Sequence, residues 1–439
     1  MTYHADLLAR PAPRYTSYPT AAEFHDGVGG NAQVEALAAI APDEPISLYL
    51  HIPFCEKICF YCGCNTGAAN RAARLANYMA RLEDEIEWVA RQLDGRGRVV
   101  RVAFGGGSPN AISADQFVHL AERVVDALGG DRATWSTELD PRGFDERFAE
   151  AIAKVGITRA SLGVQTLDPI IQQAIGRVQP ASEVARASEL LREAGVDSLN
   201  FDLMYGLPGQ TGDKLHATLE EAHSMRPDRL AVFGYAHVPT LIPRQRKIDA
   251  SALPDARRRF AHAEHARDYL TAHGYEPIGL DHYSLPDDPM AVAARAGRMR
   301  RNFQGYTDDP CATLIGLGAS AISRFRDAFV QNEKNAGRYS LRVGNAVPPA
   351  TRGLARTALD RVRGGVIERW LCEGRANLAL LADRRVVLEG FDPFIARGLV
   401  HVDGEEIALA DDAWPYARVT AALMDPHFQR SERRFSSAV

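Results

Sequence analysis

Cysteine is scarce in this sequence and unevenly placed. Four of the six cysteines in the 439 residues lie within ten positions, and these are Cys55, Cys59, Cys62 and Cys64. The other two, Cys311 and Cys372, are far away in the sequence. Six cysteines placed in this way are too few for a disulfide framework in a chain of this length. Clustered cysteines indicate metal or redox chemistry instead.

The sequence also lacks long apolar runs and a large charge of either sign. No run approaches the roughly 18 uninterrupted apolar residues of a membrane-spanning helix, and residues 1–20 contain no apolar segment typical of a signal peptide. The net charge of −5 argues against a bulk nucleic-acid binder. We therefore expect a cytoplasmic protein without a membrane or nucleic-acid partner. Since no apolar stripe or coiled-coil pattern demands a partner subunit, we also expect a monomer.

Short apolar or β-branched runs alternate with helical patterns from Pro45 onward. Six of these runs predict strands, and they span residues 46–52, 99–104, 134–139, 157–164, 196–203 and 228–235. The segments between them have helical periodicity. Alternating strands and helices imply a parallel sheet with right-handed crossovers. Six such units predict an α/β fold that forms a partial, TIM-like barrel rather than a full eightfold one.

Composition divides the chain into three predicted domains. An arm rich in proline and tyrosine spans residues 1–42, the barrel with its extension spans 43–340, and a C-terminal domain spans 341–439. A proline-containing break at 344–353 leads into this last domain. Its pattern predicts a small, mainly helical domain with a β-hairpin at 398–409, and no chemistry is evident in it.

The four clustered cysteines have the spacing C-x3-C-x2-C-x-C. A structural zinc site normally uses two separated pairs, and in ferredoxin patterns four thiolates saturate the cluster. Thiolates at Cys55, Cys59 and Cys62 would bind three irons of a [4Fe–4S] cluster and leave the fourth open to the amine and carboxylate of S-adenosylmethionine. Reductive cleavage of that cofactor gives a 5′-deoxyadenosyl radical. The spacing resembles that of radical S-adenosylmethionine enzymes, and four thiols without a shared role are the alternative.

Glycine and polar residues follow most of the predicted strands, where barrel enzymes place their ligands. After the second strand comes GGGSP (105–109), whose glycines would let the backbone approach a ligand and offer N–H groups to it. A tight turn without a ligand is the alternative. The third strand ends at Glu138, which is suited to an ammonium group or ribose hydroxyls. The later strand ends carry Gln165 followed by Arg177, then Asp202, and then Tyr235, Ala236 and His237.

Longer motifs go beyond this general pattern. They run in order over residues 13–335 and include PRYTSYPT (13–20), LYLHIPFCEKICFYCGCNT (48–66), FDLMYGLPGQT (201–211), GLDHYSLPDD (279–288) and RRNFQGYT (300–307). With these motifs the chain resembles the family of oxygen-independent coproporphyrinogen III oxidases. The resemblance implies a [4Fe–4S] cluster held by Cys55, Cys59 and Cys62, two bound S-adenosylmethionine molecules, and an electron donor such as a flavodoxin or ferredoxin. It also implies conversion of two propionates of a tetrapyrrole, coproporphyrinogen III, to vinyl groups, which gives protoporphyrinogen IX for heme biosynthesis.

The resemblance further implies which residues contact the two cofactor molecules. Those at the iron-bound S-adenosylmethionine are Tyr49, Gly106, Glu138 and Ile322. Those at the second molecule are Tyr61, Gly107, Ser108, Gln165, Arg177, Asp202 and Ala236. Cys64 matches an additional cysteine of the family that does not ligate the cluster, and it is our candidate catalytic residue. For His237, a catalytic role and a packing role are both open.

The substrate implied by the resemblance carries four carboxylates, so we expect bidentate guanidinium partners. The candidates that flank the motifs are Arg14, Arg244, Arg246 and Arg301, and structural or surface arginines are the alternative. Two segments depart from the family pattern, at Ala312–Thr313 and at 371–378. They put details of the substrate pocket and of the tail packing in question.

Two other functions are open at this point. One is a related radical enzyme that acts on a different tetrapyrrole or on an unrelated substrate. The other is the heme chaperone relative, which binds heme and hands it over without decarboxylation. Chaperones of that group typically lack both the cysteine two places after the third ligand and the RYTSYPT arm, and this chain has both.

Overall fold

The computed structural model describes residues 1–69 and 72–429. Its dominant feature is a twelve-stranded sheet with six neighbouring parallel strands at its centre. These six are β1 (Pro45–Ile52), β2 (Arg98–Gly106), β3 (Thr134–Leu139), β4 (Ile157–Gln165), β5 (Ser198–Tyr205) and β6 (Arg229–Gly234). All six predicted strands are confirmed, as is the partial barrel of six βα units.

A helix follows each of these strands. The six are α1 (Ala72–Leu93), α2 (Ala114–Leu128), α3 (Glu146–Val155), α4 (Ala181–Glu193), α5 (Gly212–Ser224) and α6 (Ala256–Ala272). Helix α1 buries Met79, Leu82, Ile86 and Val89, which recur every three or four residues and therefore share one face. The Ser113 side chain accepts from the Gln116 N–H and so caps the start of α2.

The sheet continues on both sides of the six strands. Beside β1 lies the parallel strand β7 (Thr313–Leu317), followed by the antiparallel strands Ile322–Arg324, Ala328–Asn332 and Ala350–Ala355. Beside β6, His282–Ser284 and Glu276–Ile278 add two antiparallel strands. The sheet thus extends to Ala355, and the predicted domain boundaries stay predictions.

Shorter elements complete the described chain. The other helices are Ala5–Leu8, Gly30–Ala38, Pro169–Ala174, Pro289–Arg295, Ala336–Gly344, Ala358–Glu373, Arg384–Ile395, Ala417–Ala421 and Pro426–Gln429. The other strands are Phe54–Cys55, Gly67–Ala68, Arg300–Asn302, Gly305–Thr307, Arg375–Asn377, Val400–Asp403 and Glu406–Leu409. The last two pair antiparallel, which confirms the predicted hairpin. None of the helices in the described ranges is long and apolar enough to cross a membrane.

The N-terminal arm packs on the C-terminal helices. Tyr15 and Tyr18 share a buried apolar cluster with Trp370 and Phe391. The Tyr15 hydroxyl donates to Asp425 at 3.0 Å. The N-terminal arm and the C-terminal helices therefore share one core, distinct from the main core of the barrel.

The departure at Ala312–Thr313 lies at the amino end of β7. Thr313 is paired with Ile46 at the start of β1, so it lies opposite the strand ends that carry the predicted cofactor residues. Just before it, Asp308 binds Arg159 at 2.6 Å and Arg101 at 2.9 Å. Burial raises the pKa of Asp308, but these two arginines outweigh it and hold the pKa at about 2.

Glu85 is a buried carboxylate that connects α1 to the segment after β7. It accepts from the Gly318 N–H at 2.6 Å, from Asn332 Nδ2 at 2.7 Å and from the Tyr339 hydroxyl. Burial raises the pKa of Glu85 to about 7, although the three donors oppose the shift. The carboxyl group therefore fixes the turn that leads into Ile322, one of the predicted cofactor contacts.

Replacing Glu85 with leucine is expected to lower the free energy of unfolding by about 3 kcal/mol or more. Three buried donors would lose their acceptor, at about 1–3 kcal/mol each. Urea denaturation checks this, with Glu87→Leu on the same helix as the control. Glu87 is 40% exposed and pairs with Arg123, so its loss should cost less than about 1 kcal/mol. Equal destabilisation by the two variants would contradict the role of Glu85.

Candidate functional site

The four clustered cysteines lie in a loop at the carboxyl end of β1. Cys55 ends the short strand Phe54–Cys55, which pairs with Gly67–Ala68. Cys59 is buried, Cys55 and Cys62 are half-buried, and Cys64 is exposed. The three predicted cluster ligands are thus more enclosed than the fourth cysteine.

Two arginines contact the sulfur of Cys59. Arg177 Nη1 is 3.4 Å and Arg142 Nη2 is 3.6 Å from Cys59 Sγ. Asp140 holds both arginines, at 3.0 Å from Arg177 and 2.6 Å from Arg142. Burial raises the pKa of Asp140, but Arg142 and Arg177 outweigh it and hold that pKa below its usual range. Asp140 therefore fixes two guanidinium groups at the place where the negative charge of metal-bound thiolates would need compensation.

The thiols of the loop also influence one another. Hydrogen bonds from Cys64 and the charges of Arg244 and Arg177 lower the pKa of Cys62 to about 6, against the effect of burial. The Cys64 thiol donates to Cys62, which raises the pKa of Cys64 well above its usual value. Burial and the nearby charges of Cys62 and Cys59 raise the pKa of Cys55 to about 12.

This donor set fits an iron–sulfur cluster. Among residues 1–69 and 72–429, no three His, Cys, Asp or Glu side chains are arranged to hold a single metal ion. The thiolates of a cluster bind different irons and need not converge on one point. Three mutually interacting thiols with two fixed guanidinium groups match that requirement.

The glycine turn after β2 is hydrogen-bonded to the backbone at the start of the cysteine loop. The Gly107 N–H donates to the Ile52 carbonyl at 2.8 Å, and the Ser108 N–H donates to the Phe54 carbonyl at 2.7 Å. A Cβ atom on Gly107 would lie 2.4 Å from the Phe54 oxygen, so only glycine fits there. The N–H groups of Gly107 and Ser108 are thus engaged by the end of β1 and the start of the cysteine loop, and the predicted cofactor contacts of these two residues stay predictions.

The predicted contacts to the iron-bound cofactor lie side by side. Tyr49 on β1 is in register with Gly316 on β7, and the backbone of Ile322 passes directly over Gly316. The Glu138 carboxylate accepts from the Gly106 N–H at 3.3 Å. Burial and the negative charge of Asp202 raise the pKa of Glu138 to about 7.

The predicted contacts to the second cofactor molecule divide into two groups. Arg177 and Tyr61 lie close together by Cys59, where each charge shifts the pKa of the other. Asp202 lies instead inside the barrel, where it lines a cavity of about 300 Å³ together with Glu138. Asp202 therefore lies near Glu138, a predicted contact of the iron-bound molecule, and apart from Arg177 and Tyr61.

Two glutamines lie near the strand ends around the cysteine loop. Gln165 has φ +67°, a strained value for a residue other than glycine, at a bulge that ends β4. Gln245 Nε2 donates to the Tyr61 carbonyl at 2.8 Å and to the Ala236 carbonyl at 3.0 Å. Gln245 thereby joins the cysteine loop to the end of β6.

One buried polar atom in the site has no partner. Arg177 is 6% exposed, and its Nε finds no acceptor among the described residues. An unsatisfied buried donor is costly, so a ligand that accepts from it would be favoured. The predicted cofactor site is therefore chemically consistent with a bound polar molecule.

The remaining candidates have different surroundings. The Nδ1 of His237 lies 2.9 Å from the Tyr235 hydroxyl, which favours its packing role. Arg244 donates to the Thr66 hydroxyl at 3.3 Å beside the cysteine loop, and Arg246 is exposed. Arg14 and Arg301 line a separate cavity.

Sequence reasoning missed three residues of this site, namely Asp140, Arg142 and Gln245. Asp140 and Arg142 follow Glu138 in ELDPR, so their position after a strand was a usable signal. Gln245 lies in a short helical turn, Pro243–Lys247, and only its distant carbonyl partners reveal its role.

Comparison with known proteins agrees with this geometry. Residues 49–222 match the Radical SAM superfamily. The anaerobic coproporphyrinogen III oxidase 1 of Cereibacter sphaeroides is 40% identical, over 98% of this chain and 97% of its own length. The oxygen-independent coproporphyrinogen III oxidase of Pseudomonas aeruginosa is 37% identical, over 100% of this chain and 99% of its own length.

A solved structure extends the similarity to three dimensions. The coproporphyrinogen III oxidase of Escherichia coli, described as a radical SAM enzyme, superimposes with a TM-score of 0.90. It is 34% identical and covers 97% of this chain and 99% of its own. Similarity of this degree along nearly the whole chain shows that the protein belongs to the family of oxygen-independent coproporphyrinogen III oxidases.

Proposed function

We propose that this protein catalyses the oxygen-independent oxidative decarboxylation of coproporphyrinogen III to protoporphyrinogen IX in heme biosynthesis. The reaction converts the propionates of rings A and B to vinyl groups. The similarity to coproporphyrinogen III oxidases over 98% of the chain carries this proposal. The cysteine loop at the carboxyl end of β1 supports it.

The chemistry requires a radical because the β-hydrogen of a propionate is unactivated and no side-chain base removes it. When bound, a [4Fe–4S] cluster with an open iron supplies the electron that cleaves S-adenosylmethionine to the radical that takes this hydrogen. The substrate radical then releases CO2 and passes one electron to an external one-electron acceptor, which completes each vinyl group. The electron that reduces the cluster comes from a donor such as a flavodoxin or ferredoxin. We also propose that the enzyme is a monomer in the cytoplasm.

Side chains of this protein would hold the cluster and compensate its negative charge. Cys55, Cys59 and Cys62 would bind three irons, and Asp140 keeps two guanidinium groups at the Cys59 sulfur. Charge compensation by fixed groups in a buried site costs no rearrangement when an electron arrives. Cys64 keeps its proton beside Cys62 and stays our candidate catalytic residue.

We further propose two binding sites for S-adenosylmethionine. The iron-bound molecule contacts Tyr49, Gly106, Glu138 and Ile322. The second molecule contacts Tyr61, Gly107, Ser108, Gln165, Arg177, Asp202 and Ala236. The free Nε of buried Arg177 supports the second site, and the ionisable Glu138 beside Gly106 supports the first.

Anaerobic incubation of the iron-loaded protein with S-adenosylmethionine, a reductant and coproporphyrinogen III tests the function. The proposal predicts protoporphyrinogen IX and two molecules of 5′-deoxyadenosine for each product molecule, one for each vinyl group. Heme binding without a vinyl product would contradict it and indicate a heme carrier. Vinyl formation from a different tetrapyrrole alone would identify another substrate.

Replacement of each clustered cysteine by serine is expected to separate ligands from non-ligands. The Cys55→Ser, Cys59→Ser and Cys62→Ser proteins should lose bound iron and sulfide, whereas Cys64→Ser should retain both and lose vinyl formation. Cys372→Ser, at a buried position in the C-terminal domain, serves as the control and should retain iron. Iron and acid-labile sulfide determination checks this. If Cys64→Ser loses its iron like the other three, the ligand assignment is wrong.

The affinity for S-adenosylmethionine is expected to rise with pH through about 7. Glu138 has its pKa raised to about 7, so below that pH it is protonated, attracts the sulfonium charge of the cofactor less, and is a weaker acceptor for the cofactor's amine or ribose hydroxyls. Binding should be about tenfold weaker at pH 6 than at pH 8. Equilibrium titration without reductant measures this, because the cofactor is then not cleaved.

Two variants control that titration. Glu138→Gln should bind weakly at both pH values, since its amide carries no charge. Glu146→Gln, at an exposed position on α3, should behave like the unmodified protein. A pH dependence that persists in Glu138→Gln would rule out Glu138 as its source.

A further inference from the structure

Four arginines surround a cavity next to the barrel lumen. The cavity has a volume of about 310 Å³, and its arginines are Arg14, Arg259, Arg301 and Arg418. We call it the arginine cavity. Asp281 is the one carboxylate that lines it within the described ranges. This surplus of positive charge distinguishes it from the lumen cavity, where the carboxyl groups of Glu138, Asp202 and Asp308 lie together with Arg159 and Arg229.

The charges in this cavity repel one another. Burial, and then the charge of Arg14, lower the pKa of Arg259. Burial, and then Arg14, also lower the pKa of Arg418 to about 10. Like charges gathered in a partly buried place are unfavourable unless an anion joins them. The arginine cavity therefore favours anionic ligands.

Two of these arginines have hydrogen-bonding capacity to spare. Arg301 is 8% exposed and stacks on the Tyr306 ring at 4.0 Å, and its Nη1 has no acceptor among the described residues. The Nε of Arg259 is likewise without an acceptor in that part of the chain. Asp281 satisfies neither, because its carboxylate is bonded to His282 at 2.7 Å.

The arginine cavity adjoins the site of the proposed reaction. Phe233, His282 and Gln304 line both this cavity and the lumen cavity. The Gln304 side chain is hydrogen-bonded to Glu138. Apolar side chains, among them Phe303 and Trp414, complete the lining. An apolar ring system with carboxylates at its rim matches this combination of surfaces.

We propose that the arginine cavity binds those carboxylates of the tetrapyrrole that are not reacting. A propionate that loses CO2 changes from an anion to a neutral molecule, so pairing it with guanidinium groups would stabilise the ground state and slow the reaction. Carboxylates that persist gain from bidentate pairing at no such cost. This inference rests on the proposed function, and it makes Arg259 a substrate-binding residue alongside Arg14 and Arg301.

Arg259→Gln tests the inference, because the Nε of Arg259 has no acceptor among the described residues and is available to a ligand. The probes are coproporphyrin III, which carries four carboxylates, and its neutral tetraamide, each titrated by fluorescence without turnover. Loss of one charge-assisted contact should weaken coproporphyrin III binding roughly tenfold or more. Binding of the tetraamide should change little.

Arg258→Gln is the matched control, since Arg258 is the exposed neighbour on the same helix. It should bind both probes like the unmodified protein. Arg14→Gln, at an exposed position in the cavity rim, provides a second test if Arg259→Gln fails to fold. It should weaken coproporphyrin III binding in the same way.

Unchanged coproporphyrin III binding in folded Arg259→Gln or Arg14→Gln would overturn the inference. An equal loss in Arg258→Gln would also overturn it, because it would reflect general surface charge. The titration needs no catalysis, so it is separable from the proposed function. A protein that shows charge-selective binding but yields no vinyl product would support the cavity and contradict the reaction.

Discussion

The close contact between the cysteine loop and the glycine turn is the constraint on which the site depends. Two main-chain hydrogen bonds join the turn to Ile52 and Phe54, and there is no room for a side chain at Gly107. Parallel strands β1 and β2 bring these two loops to the same edge of the sheet. The loop that carries the thiols is therefore held by backbone contacts that do not depend on the cofactor.

Charged side chains distinguish three regions of the barrel. Asp140 binds two arginines at Cys59, which suits an anionic cluster. Glu138 and Asp202 place carboxyl groups in the lumen, where Arg159 and Arg229 also lie, and these carboxyl groups suit a cationic sulfonium cofactor. The arginine cavity beside the lumen suits the carboxylates of a tetrapyrrole. The cluster, the iron-bound cofactor and the carboxylates of the substrate thus have separate proposed places with different charged surroundings.

Local patterns predicted the barrel well because its strands are buried and continuous. The run 46–52 became Pro45–Ile52, and the later strands agree within about two residues. The antiparallel strands after β7 were not predicted, since segments such as Ile322–Arg324 are too short to show a period. Nor does any local pattern indicate that Tyr15 packs against a cluster containing Trp370. Contacts over such distances in sequence become visible only in the fold.

The sequence indicates those site residues whose proposed role depends on their spacing. It does not indicate those whose role depends on contacts with residues far away in the chain. The spacing of Cys55, Cys59 and Cys62 is enough to propose them as cluster ligands. Arg259, by contrast, belongs to a run of three arginines that resembles a solvated helix face. The fold turns Arg259 toward a cavity and leaves Arg258 exposed. Likewise the importance of Asp140 arises from Arg177, which is 37 residues away in sequence.

The most direct test of the account is the fate of the propionate hydrogen. Coproporphyrinogen III carrying deuterium at the β-carbons of its propionates would be converted anaerobically, and the 5′-deoxyadenosine would be analysed by mass spectrometry. The account predicts that each vinyl group formed transfers one deuterium to one 5′-deoxyadenosine. Vinyl formation accompanied by unlabelled 5′-deoxyadenosine would contradict it.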